Sequence, residues 1–238
     1  MSADPQRNMF YEHYRQDKPT KLGKWLGAGV DRQIFEFAQI QKGTSVLEIG
    51  PGRSTFADIC IDAGAEYWAI EANEEMAAAI RKRSATVITA KVPPIPDMHR
   101  CFDVVVMNSV MEHMDTMTAA LQLSEQVLAI LKPGGRFVVY APDYPNWQYH
   151  FYVGDFSHNY ITSWRRLEGL LMSAGFTNIR CRYQSNVITG LPGFIVSVLA
   201  SWLPFCVLDI VFPKNRLLHK LAKLQITFLR RVLIAGTT

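Results

Sequence analysis

The residues with the clearest chemical potential sit in one short stretch. Glu48-Ile49-Gly50-Pro51-Gly52-Arg53-Ser54 closes an apolar run, and its two glycines permit a tight turn and close approach of backbone to a ligand. Nineteen residues beyond Gly52 stands Glu71, an acid placed to accept hydrogen bonds from both ribose hydroxyls of a nucleoside. Thr55 takes the place of the third glycine in G-x-G-x-x-G, and no G-K-[ST] follows, so pyrophosphate and triphosphate cradles are disfavoured. A nucleoside without phosphates fits the pattern. His113 and His158 are the candidates for a base that titrates near neutrality, with Asp155 close enough in sequence to orient His158. Each histidine can equally serve only to hold its loop by hydrogen bonds.

These residues need elements to position them. Ser45 to Ile49, Tyr67 to Ile70, Val87 to Thr89, Phe102 to Met107 and Arg136 to Tyr140 are β-branched or aromatic runs that end in polar or turn residues. Between them Thr55 to Ala63, Glu74 to Arg83 and Thr116 to Leu131 have helical length, with Ser54 as a cap for the first and Gly64 and Gly134 where helices stop. A further unit follows, in which Thr162 caps a helix that Gly175 ends before a strand over Thr177 to Tyr183. Ahead of the first strand, Gly23 to Gln41 predicts a helix with Trp25, Leu26, Val30, Ile34, Phe37 and Ala38 on one face. Strand and helix alternating at this spacing predicts right-handed crossovers and an α/β doubly wound, Rossmann-like sheet of seven mostly parallel strands. A ligand then belongs beyond the C-terminal ends of the strands, where strand order reverses.

In these motifs the chain resembles the class I S-adenosylmethionine-dependent methyltransferases. VLEIGPG is similar to their first motif, CFDVVVMNSVMEHM to the fourth strand and its loop, LKPGGRFVVY to the fifth strand, and LLMSAGF to the helix end before the sixth. The resemblance spans residues 45 to 183 and implies S-adenosylmethionine as cofactor and S-adenosylhomocysteine as product. It places Glu48 near the methionine amino group, Gly50 and Gly52 beneath the cofactor, Glu71 on the ribose, and Asn108 and Ser109 facing the cofactor. The family often carries an acid after the third strand for the adenine amino group. Thr89 and Ala90 stand there instead, which leaves the Ala90 backbone amide and apolar contacts for the adenine. The Glu112-His113 pair is similar to that of quinone-pathway O-methyltransferases with an E-x-x-E-H metal cluster. Ser109 replaces the first acid, so no metal is expected.

For the acceptor, His113 and His158 are base candidates for methylation of a hydroxyl. Tyr144, Trp147, Tyr149 and Tyr152 supply faces for stacking on a ring or sugar, and core packing accounts for at least part of that set. N- or C-methylation of a small molecule needs no strong base and stays open, as does a non-catalytic binding subunit of the same fold.

Composition and charge narrow the setting. With 49% hydrophobic and 19% charged residues over 238, disorder and coiled coil are excluded. Six bases and no acid follow Asp209, so residues 1 to 209 carry 19 bases against 21 acids, a net of −2 that argues against nucleic acid as partner. Four widely spaced cysteines suggest neither a zinc site nor a disulfide framework. Residues 1 to 19 contain no apolar run of a secretion signal, which predicts a cytoplasmic protein.

Leu191 to Phe212 holds a single charge over twenty-two residues, long enough to span a bilayer. Pro204 and Asp209 interrupt it, and Phe228 to Ala235 reads as the last strand of the sheet, so a helical insert at residues 190–225 is the better reading. Leu217, Leu218, Leu221 and Leu224 opposite Lys220 and Lys223 form the pattern of an interfacial helix. The insert is expected to touch a membrane surface at the inner face, or else to pack as a lid or in a homodimer. Similar inserts in methyltransferases of glycan pathways point to a sugar hydroxyl or other small acceptor on a lipid. In domain terms, residues 1–44 form N-terminal helices over the cofactor, 45–189 the cofactor-binding core, and 226–238 the closing strand.

Overall fold

The computed structural model describes residues 20–53, 55–83, 85–153 and 155–238. The expected cap Ser54, Gly154 and residues 1–19 of the N-terminal segment lie outside the described residues. The strands are β1 (Ser45–Ile49), β2 (Glu66–Glu71), β3 (Thr86–Thr89), β4 (Phe102–Asn108), β5 (Leu131–Pro142), β6 (Thr177–Ser185), β7 (Ile188–Thr189) and β8 (Arg230–Thr237). They form one sheet in the order β3-β2-β1-β4-β5-β8-β6-β7. The first five are parallel, and β8 runs antiparallel between β5 and β6. The sheet thus has eight strands of mixed direction, not seven. The addition is the two-residue edge strand β7, too short for any periodicity to reveal.

The helices are α1 (Lys21–Ala38), α2 (Phe56–Asp62), α3 (Glu74–Arg81), α4 (Met117–Ile130), α5 (Tyr144–Trp147), α6 (His150–Val153), α7 (Trp164–Ser173), α8 (Gly190–Trp202), α9 (Phe205–Val211) and α10 (Arg216–Thr227). Both sheet faces are covered, so all five residues of β1 are buried. Leu47, Ile49, Val105, Met107, Phe137 and Val139 pack with α4 and α7 on one face. Val46, Val104, Val106 and Val138 pack with α1 and α2 on the other.

Two details differ from expectation. On α1, Leu26, Val30, Ile34 and Ala38 are buried, but Trp25 is 66% exposed and the acid Asp31 is buried with them. Ser163, not Thr162, caps α7, accepting from the Arg166 amide at 3.4 Å. Thr162 is buried and its hydroxyl donates to the Pro142 carbonyl at 2.7 Å, which ties the end of β5 to the following loop. On α10 the buried residues are Ala222 and Gln225, while Leu217 and Leu224 face outward.

Strand order reverses between β1 and β4: β1 leads outward to β2 and β3, whereas β4 leads to β5. The glycine turn after β1 and the Asn108-Ser109 end of β4 therefore flank one crevice at the carboxyl edge of the sheet.

Candidate active site

The turn after β1 is built on left-handed glycines, Gly50 at φ +68° and Gly52 at φ +54°. A Cβ on Gly50 would sit 2.7 Å from Val110 Cγ2, whereas one on Gly52 would meet nothing within 4 Å. Gly50 is thus demanded by the protein's own packing, and Gly52 fronts open space. The Gly50 amide donates to the Ile70 carbonyl at 2.8 Å and the Gly52 amide to Glu71 Oε2 at 2.9 Å. Glu71 Oε1 accepts from the Asn73 amide at 2.9 Å. The acid at the end of β2 and the turn after β1 are therefore one bonded unit. A carboxylate has about four acceptor positions, and two of Glu71's remain for ligand hydroxyls.

Asp31, missed in the sequence because it lies inside a helical stripe, braces this unit from α1. Its Oδ2 accepts from the Thr55 amide and hydroxyl, both at 2.8 Å, and its Oδ1 from Asn108 Nδ2 at 3.1 Å. Burial pushes its carboxyl above the usual range, and the Thr55 and Asn108 bonds offset part of that rise. Asn108 is thereby fixed with its Oδ1 accepting from the Ser109 hydroxyl at 3.3 Å. Ser109 is left-handed at φ +56°, a conformation that costs a non-glycine residue about 1 kcal/mol or more. Its amide donates to the Tyr140 carbonyl at 2.8 Å and its hydroxyl accepts from Arg231 Nη1 at 3.1 Å, contacts that hold it there.

Glu48 is fully buried and accepts from the Tyr67 hydroxyl at 2.5 Å. Burial and the facing Glu48 charge push the Tyr67 hydroxyl well above its ordinary value, so it stays a donor. The Ala90 amide donates to the Glu71 carbonyl at 3.2 Å, continuing the β2–β3 pairing. That amide is turned into the sheet, which leaves Ala90 its methyl group for an adenine contact.

The second half of the site joins two distant segments. The amides of Asn159 and Tyr160 both donate to the Glu112 carbonyl at 3.0 Å, which brings the loop from Asp155 to Tyr160 onto the single 3-10 turn Met111–His113. There the His113 and His158 rings lie 4.9 Å apart. Asp155 binds not His158 but Ser157, accepting from its amide at 2.9 Å and its hydroxyl at 2.6 Å. The Ser157 oxygen in turn lies 2.8 Å from His113 Nδ1. Since a carboxylate only accepts, the serine proton points to Asp155 and His113 must donate from Nδ1. His113 Nε2 is left with its lone pair. His158 Nδ1 likewise donates to the Phe151 carbonyl at 2.6 Å. Burial lowers its basicity, more strongly than Glu112 and the Phe151 bond raise it. His158 is 8% exposed and His113 half-buried.

Glu112, His113 and His158 each place one ligand atom within 4.8 Å of the others, and Glu112 Oε2 is buried with no hydrogen-bond partner among the described residues. The set has a composition that transition metals accept. Ser109 is outside it; His158, invisible to a local motif, supplies the third group. Arg231 closes the crevice, its guanidinium 4.8 Å over the Trp147 ring and 5.5 Å over Tyr140. Of the stacking candidates, Trp147 is buried, whereas Tyr149 and Tyr152 are exposed.

The glycine turn with Glu71 and the histidine pair with Glu112 are thus the two groups of residues at this edge of the sheet that could do chemistry. The chain matches the family described as a methyltransferase domain over residues 11–180. It resembles the crystal structure of a SAM-dependent methyltransferase from Archaeoglobus fulgidus, with 19% identity, TM-score 0.57, and 87% of this chain and 92% of that one covered. Against the plantazolicin methyltransferase BpumL in complex with SAH the values are 15%, 0.60, 99% and 91%. For Haemonchus contortus phosphoethanolamine N-methyltransferase 2 in complex with S-adenosyl-L-methionine they are 15%, 0.62, 92% and 57%. A shorter likeness, 43% over 46 residues, links it to ribosomal RNA small subunit methyltransferase A of Opitutus terrae, and spans 19% of this chain and 17% of that protein. Matched to the methyltransferase domain over most of its length, the chain belongs to that family and is a class I S-adenosylmethionine-dependent methyltransferase.

Proposed function

We propose that the protein methylates a hydroxyl oxygen, that of a sugar or other small acceptor carried on a lipid, in the cytoplasm at the inner membrane face. The observation that carries the chemistry is the line Asp155–Ser157–His113, which fixes one tautomer and aims a lone pair from His113 Nε2. Hydroxyl acceptors gain from a positioned base; amine and carbon acceptors need none.

Bound S-adenosylmethionine supplies a methyl group on a positively charged sulfur. The chain's own residues do the rest. Glu71 offers its two open acceptor positions to the ribose hydroxyls, and Gly50 and Gly52 let the turn approach the ligand. Asn108 and Ser109 would line the methionine side in this reading, Glu48 supports the turn from within the core through Tyr67, and the Ala90 methyl would be the contact for the adenine. His113 takes the acceptor proton at Nε2, and the imidazolium so formed is supported through Ser157 by Asp155. His158, kept neutral by burial, packs its ring beside His113 and orients it. Alignment of the two reactants supplies the larger share of the rate, with effective molarities up to about 10⁵ to 10⁸ M.

The test uses S-adenosylmethionine labelled in the methyl group and cell extract separated into soluble and membrane fractions. Label entering an alkali-stable ether in the lipid or glycan fraction, and lost with His113→Ala, is the expected result. Label in an amine, or full turnover by His113→Ala, overturns the hydroxyl reading.

A further inference from the structure

Helix α8 is inside out. Its buried residues are Gly193, Ser197 and Ala200, while Leu191, Phe194, Ile195, Leu199 and Trp202 form its exposed stripe, Trp202 at 84%. The small face is fitted closely: a Cβ on Gly193 would collide with the Ile188 carbonyl, and Asn146 Nδ2 donates to the Ser197 carbonyl at 3.1 Å. A helix in a water-soluble domain turns its large apolar residues inward. Here the large residues point away, and α9 continues the surface with Val207, Ile210, Val211 and then Phe212, all at least 45% exposed. Only 17% of the most apolar stretch within Gly190–Val211 is buried.

That stretch has the length to cross a bilayer but is held bent. At the break between α8 and α9, the buried Gln225 side chain donates to the carbonyls of Ala200 and Leu203, at 2.9 and 2.6 Å, and accepts from the Cys206 amide at 3.0 Å. All three are backbone groups at the helix ends that meet at the break, and α10 gives each a side-chain partner. Straightening the segment would leave the buried Gln225 amide without these partners and would pull Gly193 from the Ile188 carbonyl and Ser197 from Asn146.

We infer that the outer face of α8 and α9 lies in the plane of a phospholipid surface, sunk to the acyl boundary, with the adjoining basic residues on anionic head groups. Lys214, Arg216 and Lys220 are exposed beside Phe212 and along α10. Arg230 and Arg231, further along the chain, are strand residues engaged with Asp143 and Ser109 and take no part. The one acid within the insert, Asp209, is half-buried and met by His219 at 3.0 Å. A second copy of this chain would oppose like charges across such a face, whereas anionic lipid complements them. The inference deepens the membrane-side part of the proposed function and does not depend on which acceptor atom is methylated.

The test is flotation of the full chain with vesicles of phosphatidylcholine alone and with about 30% phosphatidylglycerol. Wild type should float with the anionic vesicles. Leu199→Asp with Trp202→Asp should reduce partitioning by about tenfold or more, and Lys220→Ala by about fivefold on the anionic vesicles only. Phe212→Asp, in the loop after α9, gives a second apolar variant. Each variant must keep the wild-type melting shift with S-adenosylhomocysteine, which reports the cofactor site separately. No flotation of wild type, or flotation unchanged in the Leu199 and Trp202 variant, overturns the inference. So does a wild-type dimer by light scattering that this variant dissociates.

Discussion

Replacing Glu71 by Gln tests the nucleoside seat at its most constrained atom. The carboxylate accepts from the Gly52 amide on one oxygen and the Asn73 amide on the other, both at 2.9 Å. Among the described residues no Lys, Arg or His lies within 4.0 Å of it, so its charge is answered by backbone donors. Gln keeps the size but has one accepting oxygen, and its amino group must face one of the two backbone N–H groups. Orphaning that half-buried donor costs about 1–2 kcal/mol, which for a domain of this size lowers Tm by about 2 to 8 °C. On the ligand side, one ribose hydroxyl loses its acceptor and the other meets a neutral one. With charge-assisted bonds worth about 1.5–3 kcal/mol, the total loss is about 2–4 kcal/mol, or about 30-fold to 10³-fold in Kd. Calorimetric titration with S-adenosylhomocysteine and thermal melting of the ligand-free protein measure the two effects independently. Glu71→Asp keeps the charge and should fall between. Binding by Glu71→Gln within threefold of wild type would refute the seat, and an unchanged ligand-free Tm would refute the bonding of the turn.

His113→Ala should lower kcat by about 10² to 10⁴, the usual worth of a general base, while Ser157→Ala, which removes only the support of Nδ1, should lower it by about 10-fold to 100-fold; Ser157→Thr restores most of it. Dialysis against EDTA should leave turnover unchanged and micromolar zinc should inhibit, because Glu112, His113 and His158 can capture the ion and occupy the His113 lone pair; loss of activity with EDTA, restored by metal, would make the cluster a working metal site instead. At the opposite edge of the sheet, burial raises the Asp103 carboxyl but bonds from Lys132 and Ser45 outweigh it, bringing it from 3.8 down to about 2. A lowered folded value means stability present above about pH 4 and lost as pH falls towards 2. Asp103 is 39% exposed, so solvent screening reduces that contribution to about 1 kcal/mol. Lys132→Met should flatten this part of an acid denaturation profile.

The strands and the glycine turn were legible because their causes are local. Apolar β-branched runs between turn residues predict β1 and β4 to within a residue, and Gly50 and Gly52 mark a backbone that other residues resist. The parts that were not legible depend on where chain segments meet. Asp31 is one acid in an amphipathic helix, and only the packing of α1 across the turn places it on Thr55 and Asn108. In Asp155-Phe156-Ser157-His158 the neighbouring acid and histidine suggested a direct pair. Asp, however, preferentially bonds backbone and hydroxyl groups two residues on, which sends Asp155 to Ser157 and the benefit to His113. That short-range preference was the available clue. Counting charge groups Arg230 and Arg231 with the bases of the insert because it ignores strand register; in β8 Arg231 falls opposite Pro142 and Arg230 beyond it, at the active-site edge.

The same register explains why the insert and the crevice belong together. Asp143 ends the fifth strand's corner and holds Arg230 through two bonds, at 2.6 and 2.7 Å. Three residues on, Asn146 accepts from the Arg230 amide at 2.7 Å and donates to α8 through the Ser197 carbonyl. Trp147 donates to the Arg230 carbonyl at 2.7 Å and places its ring between Arg231 and His158. A corner of five residues therefore bonds to the helix with the exposed apolar face and to the closing strand, and sets the Trp147 ring against His158. Every one of these contacts is buried or half-buried, so the outer surface of α8 cannot shift without moving Trp147. In the proposed function this rigidity is what a membrane-side enzyme needs: the face on the lipid and the base at the crevice keep a fixed distance, and the acceptor hydroxyl arrives at a constant height above the surface.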